Sequence, residues 1–170
     1  MAEETITITR GALSDDVSRA LIGELNAELS GAYPEPGANH FGLDADEVAP
    51  GRGAFLIVRV DGRPVGCGAV RRLDAETGEL KRMYVDPAAR GLGLGRRLVA
   101  ALEAEARALG MRRLVLETGT RQEAALALYR ATGFQPIPLF GEYLLSPETS
   151  ICLGKEISDA PLLDPDMEPA

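Results

Sequence analysis

No apolar run in this 170-residue chain approaches the roughly 18 residues that cross a bilayer, and the N-terminal stretch, with Glu3 and Glu4, lacks the basic and apolar parts of a signal peptide. His40 is the only histidine, and Cys67 and Cys152 are the only cysteines. Two cysteines this far apart make neither a disulfide framework nor a zinc knuckle, and one histidine leaves little from which to build a metal site or a Ser-His-Asp triad. Positive charge is scarce as well: 18 Lys and Arg stand against 26 Asp and Glu, for a formal net charge of −8. Such a surface argues against non-specific nucleic-acid binding. These absences predict a soluble, cytoplasmic protein with no metal, no membrane and no nucleic-acid partner, and the length suits one domain with a full core.

The acid is unevenly spread. Asp159, Asp164, Asp166 and Glu168 fall in residues 158–170, a segment without Lys or Arg that also holds Pro161, Pro165 and Pro169. It reads as an acidic, disordered C-terminal tail carrying four of the eight net negative charges, with the folded unit in residues 1–157.

What the chain does have is Arg90-Gly91-Leu92-Gly93-Leu94-Gly95. It follows an apolar strand-like run, Leu80 through Met83, Tyr84 and Val85, which Asp86-Pro87 terminates because proline has no N–H for a ladder. It opens into a helix marked by Leu94, Leu98, Leu102 and Leu109 at helical spacing, with Gly110 as the stop. A helix N-terminus offers unpaired N–H groups and the positive end of the macrodipole, so this loop suits a phosphate. Arg90 and Arg96 add positive charge. The register excludes two commoner phosphate loops. A dinucleotide-binding G-x-G-x-x-G from Gly91 needs Gly or Ala where the chain has Arg96, and the Gly-Lys-Ser/Thr of a nucleotide-triphosphate loop occurs nowhere.

Around this loop, Ile6 and Ile8 alternate with threonines as a half-buried strand, and Val17, Leu21, Leu25 and Leu29 mark a helix after Ser14. Residues 55–60 and 65–70 flank Asp61-Gly62, a hairpin signal, and a third antiparallel strand covers about 79–85. Residues 113–118 form a strand that the helical crossover makes parallel to its predecessor. Thr120 and Glu123 have the spacing of a capping box for a second helix running to about Thr132, and 150–157 closes as a final strand. The loosely patterned segments 31–52 and 134–147 read as walls of a substrate site and carry no motif that names an acceptor.

The second helix contains Gln122-Glu123-Ala124-Ala125-Leu126-Ala127-Leu128-Tyr129-Arg130-Ala131-Thr132-Gly133-Phe134. Together with Arg90-x-x-Gly93-x-Gly95, it resembles the GCN5-related N-acetyltransferases (GNAT) across about residues 55–157. The resemblance implies an α/β fold whose central mixed, mostly antiparallel sheet is splayed between its fourth and fifth strands and flanked by helices. Acetyl-coenzyme A, the implied co-substrate, would lie in the opening. Met83, Tyr84 and Val85 would hold the pantetheine and thioester, and the amides of Gly91, Leu92, Gly93, Leu94, Gly95 and Arg96, beside Arg90, would hold the diphosphate. Gln122 stands where the family often has Asn against the cofactor, and Ala125 and Leu128 would line the pantetheine or pack on the sheet. Tyr129 matches the usual general acid, which protonates the departing thiolate. Glu79 matches the place where some members carry a basic glutamate; acting near neutrality would require its pKa to rise by desolvation. His40 is a second basic candidate, and Lys81 and Arg82 are candidate receivers of a substrate carboxylate. Cys67, between Gly66 and Gly68, reads as a small residue where the sheet packs closely. The implied reaction is direct acetyl transfer to the primary amine of a small molecule such as an amino acid or polyamine. Alternatives are a non-catalytic acyl-coenzyme A-binding regulatory module and a protein or peptide N-acetyltransferase. A homodimer is compatible with the sequence.

Overall fold

The structure is a computed structural model that describes residues 4–33 and 42–157. His40 and the acidic tail lie outside the described residues. The hairpin signal at Asp61-Gly62 is met: both residues take positive φ, 51° and 81°, joining β2 (Gly53–Val60) to β3 (Arg63–Arg72). β1 (Ile6–Arg10) extends this pair on one side and β4 (Thr77–Val85) on the other, all antiparallel. β5 (Arg113–Gly119) adds in parallel to β4, and β7 (Ser150–Glu156) and β6 (Gln135–Ile137) complete a seven-stranded mixed sheet in the order β1-β2-β3-β4-β5-β7-β6.

Helix α1 (Asp16–Ala32) covers one face, where Leu21 and Leu25 meet Phe55, Ile57, Cys67 and Tyr84. Helices α2 (Leu94–Ala108) and α3 (Glu123–Ala131) cover the other. Leu98 and Leu102 of α2 are fully buried there, each contributing about 2 kcal/mol through apolar burial.

The sheet opens where the sequence resemblance places the opening. β4 pairs with β5 only over 77–80 against 113–116; residues 81–85 and 117–119 continue without pairing one another. β5 stays in register with β7 along its whole length, while β4 stays with β3. A bulge redirects β4 at the fork: Cys67 faces Tyr84 and Ala69 faces Lys81, so Arg82 and Met83 together oppose Gly68. Arg82 takes φ 55°, a left-handed conformation costing about 1–2 kcal/mol in a residue with a side chain. The Cys67 thiol donates to the Arg82 carbonyl at 3.3 Å and helps hold it.

Two expectations are corrected. Thr120 does not cap α3: the helix starts at Glu123 with Gln122 in the capping position and no side-chain cap bond. Tertiary bonds hold the preceding loop instead, Thr120 N–H donating to the Thr149 carbonyl and Arg121 N–H to the Tyr33 hydroxyl. The stretch 134–147, read as a loop wall, contains the edge strand β6, which tolerates Pro136 because one side lacks a partner, and a 3-10 turn, Gly141–Leu145.

Candidate active site

At the start of α2, Gly91 and Gly93 have φ of 92° and 73°, a region closed to most side chains. The first helical bond is Arg97 N–H to the Gly93 carbonyl at 3.2 Å. None of the N–H groups from Gly91 to Arg96 meets an acceptor among the described residues, so the loop presents a run of free donors at the positive end of a helix. Arg96 lines the adjoining cavity, whereas Leu92 is turned outward, 46% exposed, and contributes no lining. Arg90 also lines the cavity, but its guanidinium is already engaged. It donates to the Val85 carbonyl at 2.9 Å and to Glu28 of α1 at 2.7 Å, which makes it a clasp between the loop and α1.

From this loop a cavity of about 540 Å³ runs into the fork between β4 and β5. Its walls are Met83, Tyr84 and Val85 from β4, Glu117, Thr118 and Gly119 from β5, and Gln122, Ala125, Leu128 and Tyr129 from α3, with Gly91, Gly93, Leu94 and Gly95 at the loop end. Tyr33, at the end of α1, closes it over β5. A Cβ on Gly119 would lie 1.9 Å from the Tyr33 hydroxyl, so only glycine lets that ring seat. The Tyr84 hydroxyl donates to Glu24 at 3.0 Å, tying α1 to β4 on the same rim.

Tyr129 is 5% exposed and packs edge-on against Phe134, with ring centroids 5.7 Å apart. Its hydroxyl has no hydrogen-bond partner among the described residues, and no fully buried side-chain oxygen there lacks one, so the hydroxyl faces the cavity. Burial, reinforced by the nearby Glu117 carboxylate, pushes its pKa above the ordinary tyrosine value. The phenol therefore keeps its proton at physiological pH and has it available to donate into the cavity.

Glu79 occupies a different environment from the cavity-facing carboxylate expected. It is fully buried, absent from the cavity wall, and both its oxygens are taken: Oε1 by Arg71, its cross-strand neighbour, at 2.8 Å, and Oε2 by the Tyr143 hydroxyl. Arg71 also pairs with Glu47. This network fastens both flanking turns, Ala45–Val48 and Gly141–Leu145, to the sheet. Glu79→Gln should therefore cost stability, by about 1–3 kcal/mol, because it removes the charge that the half-buried Arg71 and the Tyr143 hydroxyl are bound to, while Glu47 still pairs with Arg71. Chemical denaturation of the variant beside the parent checks this.

The open carboxylate is Glu117, which the sequence reading missed. Its Oε2 accepts from Ser150 at 2.5 Å, and no partner is found for the other oxygen among the described residues. Burial pushes its pKa up, opposed by the Ser150 hydrogen bond and raised further by Glu79. The available signal was an acid inside the apolar strand Arg113-Leu114-Val115-Leu116-Glu117, which alternation alone does not distinguish from a solvated position. Cys67 is wholly buried with its pKa pushed up to about 12 by that burial, which leaves it inert as a nucleophile. Among the described residues, no group of three or more His, Cys, Asp and Glu side chains is arranged to hold a metal ion, and no helix is long and apolar enough to cross a membrane.

Comparison with known proteins agrees with this architecture. The family model for the Acetyltransferase (GNAT) family matches residues 19–134. An IAA acetyltransferase of Azospirillum brasilense is 44% identical over 140 residues, covering 81% of this chain and 90% of the relative. A crystal structure from Klebsiella pneumoniae, named as an acyl-CoA N-acyltransferase, superposes with a TM-score of 0.79 at 37% identity, covering 91% of this chain and 99% of that one. A GNAT structure from Elizabethkingia anophelis with acetyl-CoA bound shares the fold at 20% identity, with a TM-score of 0.64 over 89% of this chain and 97% of that one. With its forked sheet and these relatives, the chain belongs to the GNAT acetyltransferase family and is an acyl-CoA-dependent N-acetyltransferase.

Proposed function

We propose that this enzyme moves the acetyl group of acetyl-coenzyme A to the primary amine of a small molecule by direct attack within a ternary complex. The observation that carries this reading is the meeting of the open Glu117 carboxylate and the protonated Tyr129 phenol in one cavity at the fork of β4 and β5. An ammonium of pKa near 10.4 is less than about one part in a thousand free base at pH 7, so the acceptor must shed a proton before it attacks. Glu117, held above the usual carboxylate range, takes it directly or through water.

The amine nitrogen then bonds to the thioester carbon while main-chain N–H groups at the β4 bulge polarise the carbonyl. Collapse breaks the C–S bond, and Tyr129 gives the sulfur its proton. The ammonium loses two protons in all: one replaces the proton on Tyr129, and the other leaves through Glu117. Coenzyme A diphosphate is assigned to the free amides between Gly91 and Arg96, with Arg96 beside it, and the pantetheine to the walls formed by Met83, Tyr84, Val85, Gln122, Ala125 and Leu128. Because the pantetheine arm takes part of a 540 Å³ cavity, the remaining space favours a small acceptor.

The test is release of coenzyme A thiol from acetyl-coenzyme A against amino acids, polyamines, aminoglycosides and peptides. Thiol release that depends on added amine, with a matching acetylated product by mass, is expected. Tight acetyl-coenzyme A binding with no transfer to any amine would instead indicate a regulatory module.

A further inference from the structure

The acceptor end of the cavity is bipolar. On the β4 lip, two consecutive cations, Lys81 and Arg82, line the wall; on the β5 lip stands the Glu117 carboxylate. Only 5% of the Lys81 side chain is exposed, yet the close partner of its ammonium is neutral, the Gly42 carbonyl at 2.8 Å. Its nearest carboxylate, Glu142, is 3.6 Å away on a side chain 37% exposed, and the Tyr143 ring lies 6.0 Å off. Arg82, thrown toward the cavity by the bulge, reaches the Asn26 amide oxygen at 3.4 Å. Glu79 and Glu47 are bound to Arg71, and Glu79 and Glu142 act on Lys81 only through space or at 3.6 Å. Burial is the leading influence on both cations and lowers the pKa of each. Two partly desolvated cations thus face an acid across the gap in which the acetyl group must change hands.

We propose that the acceptor is an amine that also carries a carboxylate, of the α-amino-acid type, its carboxylate received by Lys81 and Arg82 and its amine presented to Glu117. This rests on the acetyl-transfer reading of the same cavity. A bare amine would leave the desolvated Lys81 ammonium with the Gly42 carbonyl and a carboxylate 3.6 Å away. A carboxylate replaces the lost hydration of the β4 cations with charge-assisted hydrogen bonds, which are about twice as strong as neutral ones. The zwitterion matches the polarity of both lips.

The experiment uses the full chain with acetyl-coenzyme A and compares L-amino acids with their primary carboxamides, matched for side chain, with spermidine as an amine lacking a carboxylate. Rates are compared at equal free-base concentration, because the carboxamide lowers the pKa of the amine. The amino acids should be preferred. Lys81→Gln should raise their KM about tenfold or more, the scale of one lost hydrogen bond to a charged group, with a smaller change in kcat. The preference for acid over amide should collapse in that variant and return in Lys81→Arg. Arg82→Gln provides the same readout if Lys81→Gln does not fold. The proposal is overturned if carboxamides or spermidine serve as well as the acids, or if both glutamine variants keep the acid preference, which would reduce Lys81 to an anchor for the Gly42 loop. Those results leave amine acetylation standing; absence of amine-dependent thiol release with every probe overturns both.

Discussion

Tyr129→Phe is expected to lower kcat by about 10²- to 10⁴-fold, the range for losing a positioned general acid, while the acetyl-coenzyme A dissociation constant stays within about twofold. The contrast follows from geometry. The ring, which packs on Phe134, is kept, and the glycine loop at the start of α2 is untouched. Only the hydroxyl is lost, and it has no hydrogen-bond partner among the described residues that its removal would orphan. Stability should therefore barely change, which separates this variant from a folding defect. Burial and Glu117 raise the phenol pKa, so the parent stays protonated through the neutral range and loses this donor only well above the ordinary tyrosine value of 10.0. Stopped thiol release with binding measured in parallel checks both halves. Equal turnover in the two proteins across pH removes Tyr129 from the reaction.

The parts of the site that could be read in advance are those built from local sequence. Gly91 and Gly93 announce a helix entry that needs left-handed backbone, and periodicity places Tyr129 on one face of α3. The parts that escaped depend on partners distant in sequence. Arg90 looks like a free cation until Glu28, 62 residues away, closes on it. Glu79 looks like an open strand-end carboxylate until the β3–β4 register sets Arg71 directly opposite and Tyr143 arrives from a turn 64 residues on. Thr120 and Glu123 have the right spacing for a cap, but the Thr149 carbonyl competes for the loop and wins. The fork had no local signal of its own: the ladder between β4 and β5 ends after Leu80, and the bulge at Arg82 is specified jointly by β3 and β4. Glu117 becomes visible as a cavity-lining acid only once that fork exists.

For that reason Glu117→Gln is the sharper test of the chemistry. At neutral pH it should lower kcat/KM by about 10²- to 10⁴-fold, since the glutamine fills the same space and can still accept from Ser150 but takes no proton. In the parent, kcat/KM should fall on the acid side through a pKa above 4.5, because desolvation raises it; in the variant that limb should vanish. The deficit should also shrink with rising pH, by about tenfold per unit until the amine's own pKa is reached, because a free amine no longer needs a base. A role confined to structure predicts neither change. Stability supplies an independent sign. A carboxyl whose folded pKa is raised binds its proton more tightly in the native state, so its favourable contribution is complete below the unfolded value and is lost as pH rises through the folded one. Removing the charge should therefore raise Tm at neutral pH and leave it unchanged near pH 4, where the parent is also protonated. A variant that is more stable and far less active in the same buffer is the behaviour of a carboxylate held desolvated for catalysis. Equal Tm values at both pH settings would mean that Glu117 is solvated and unfit to be the base.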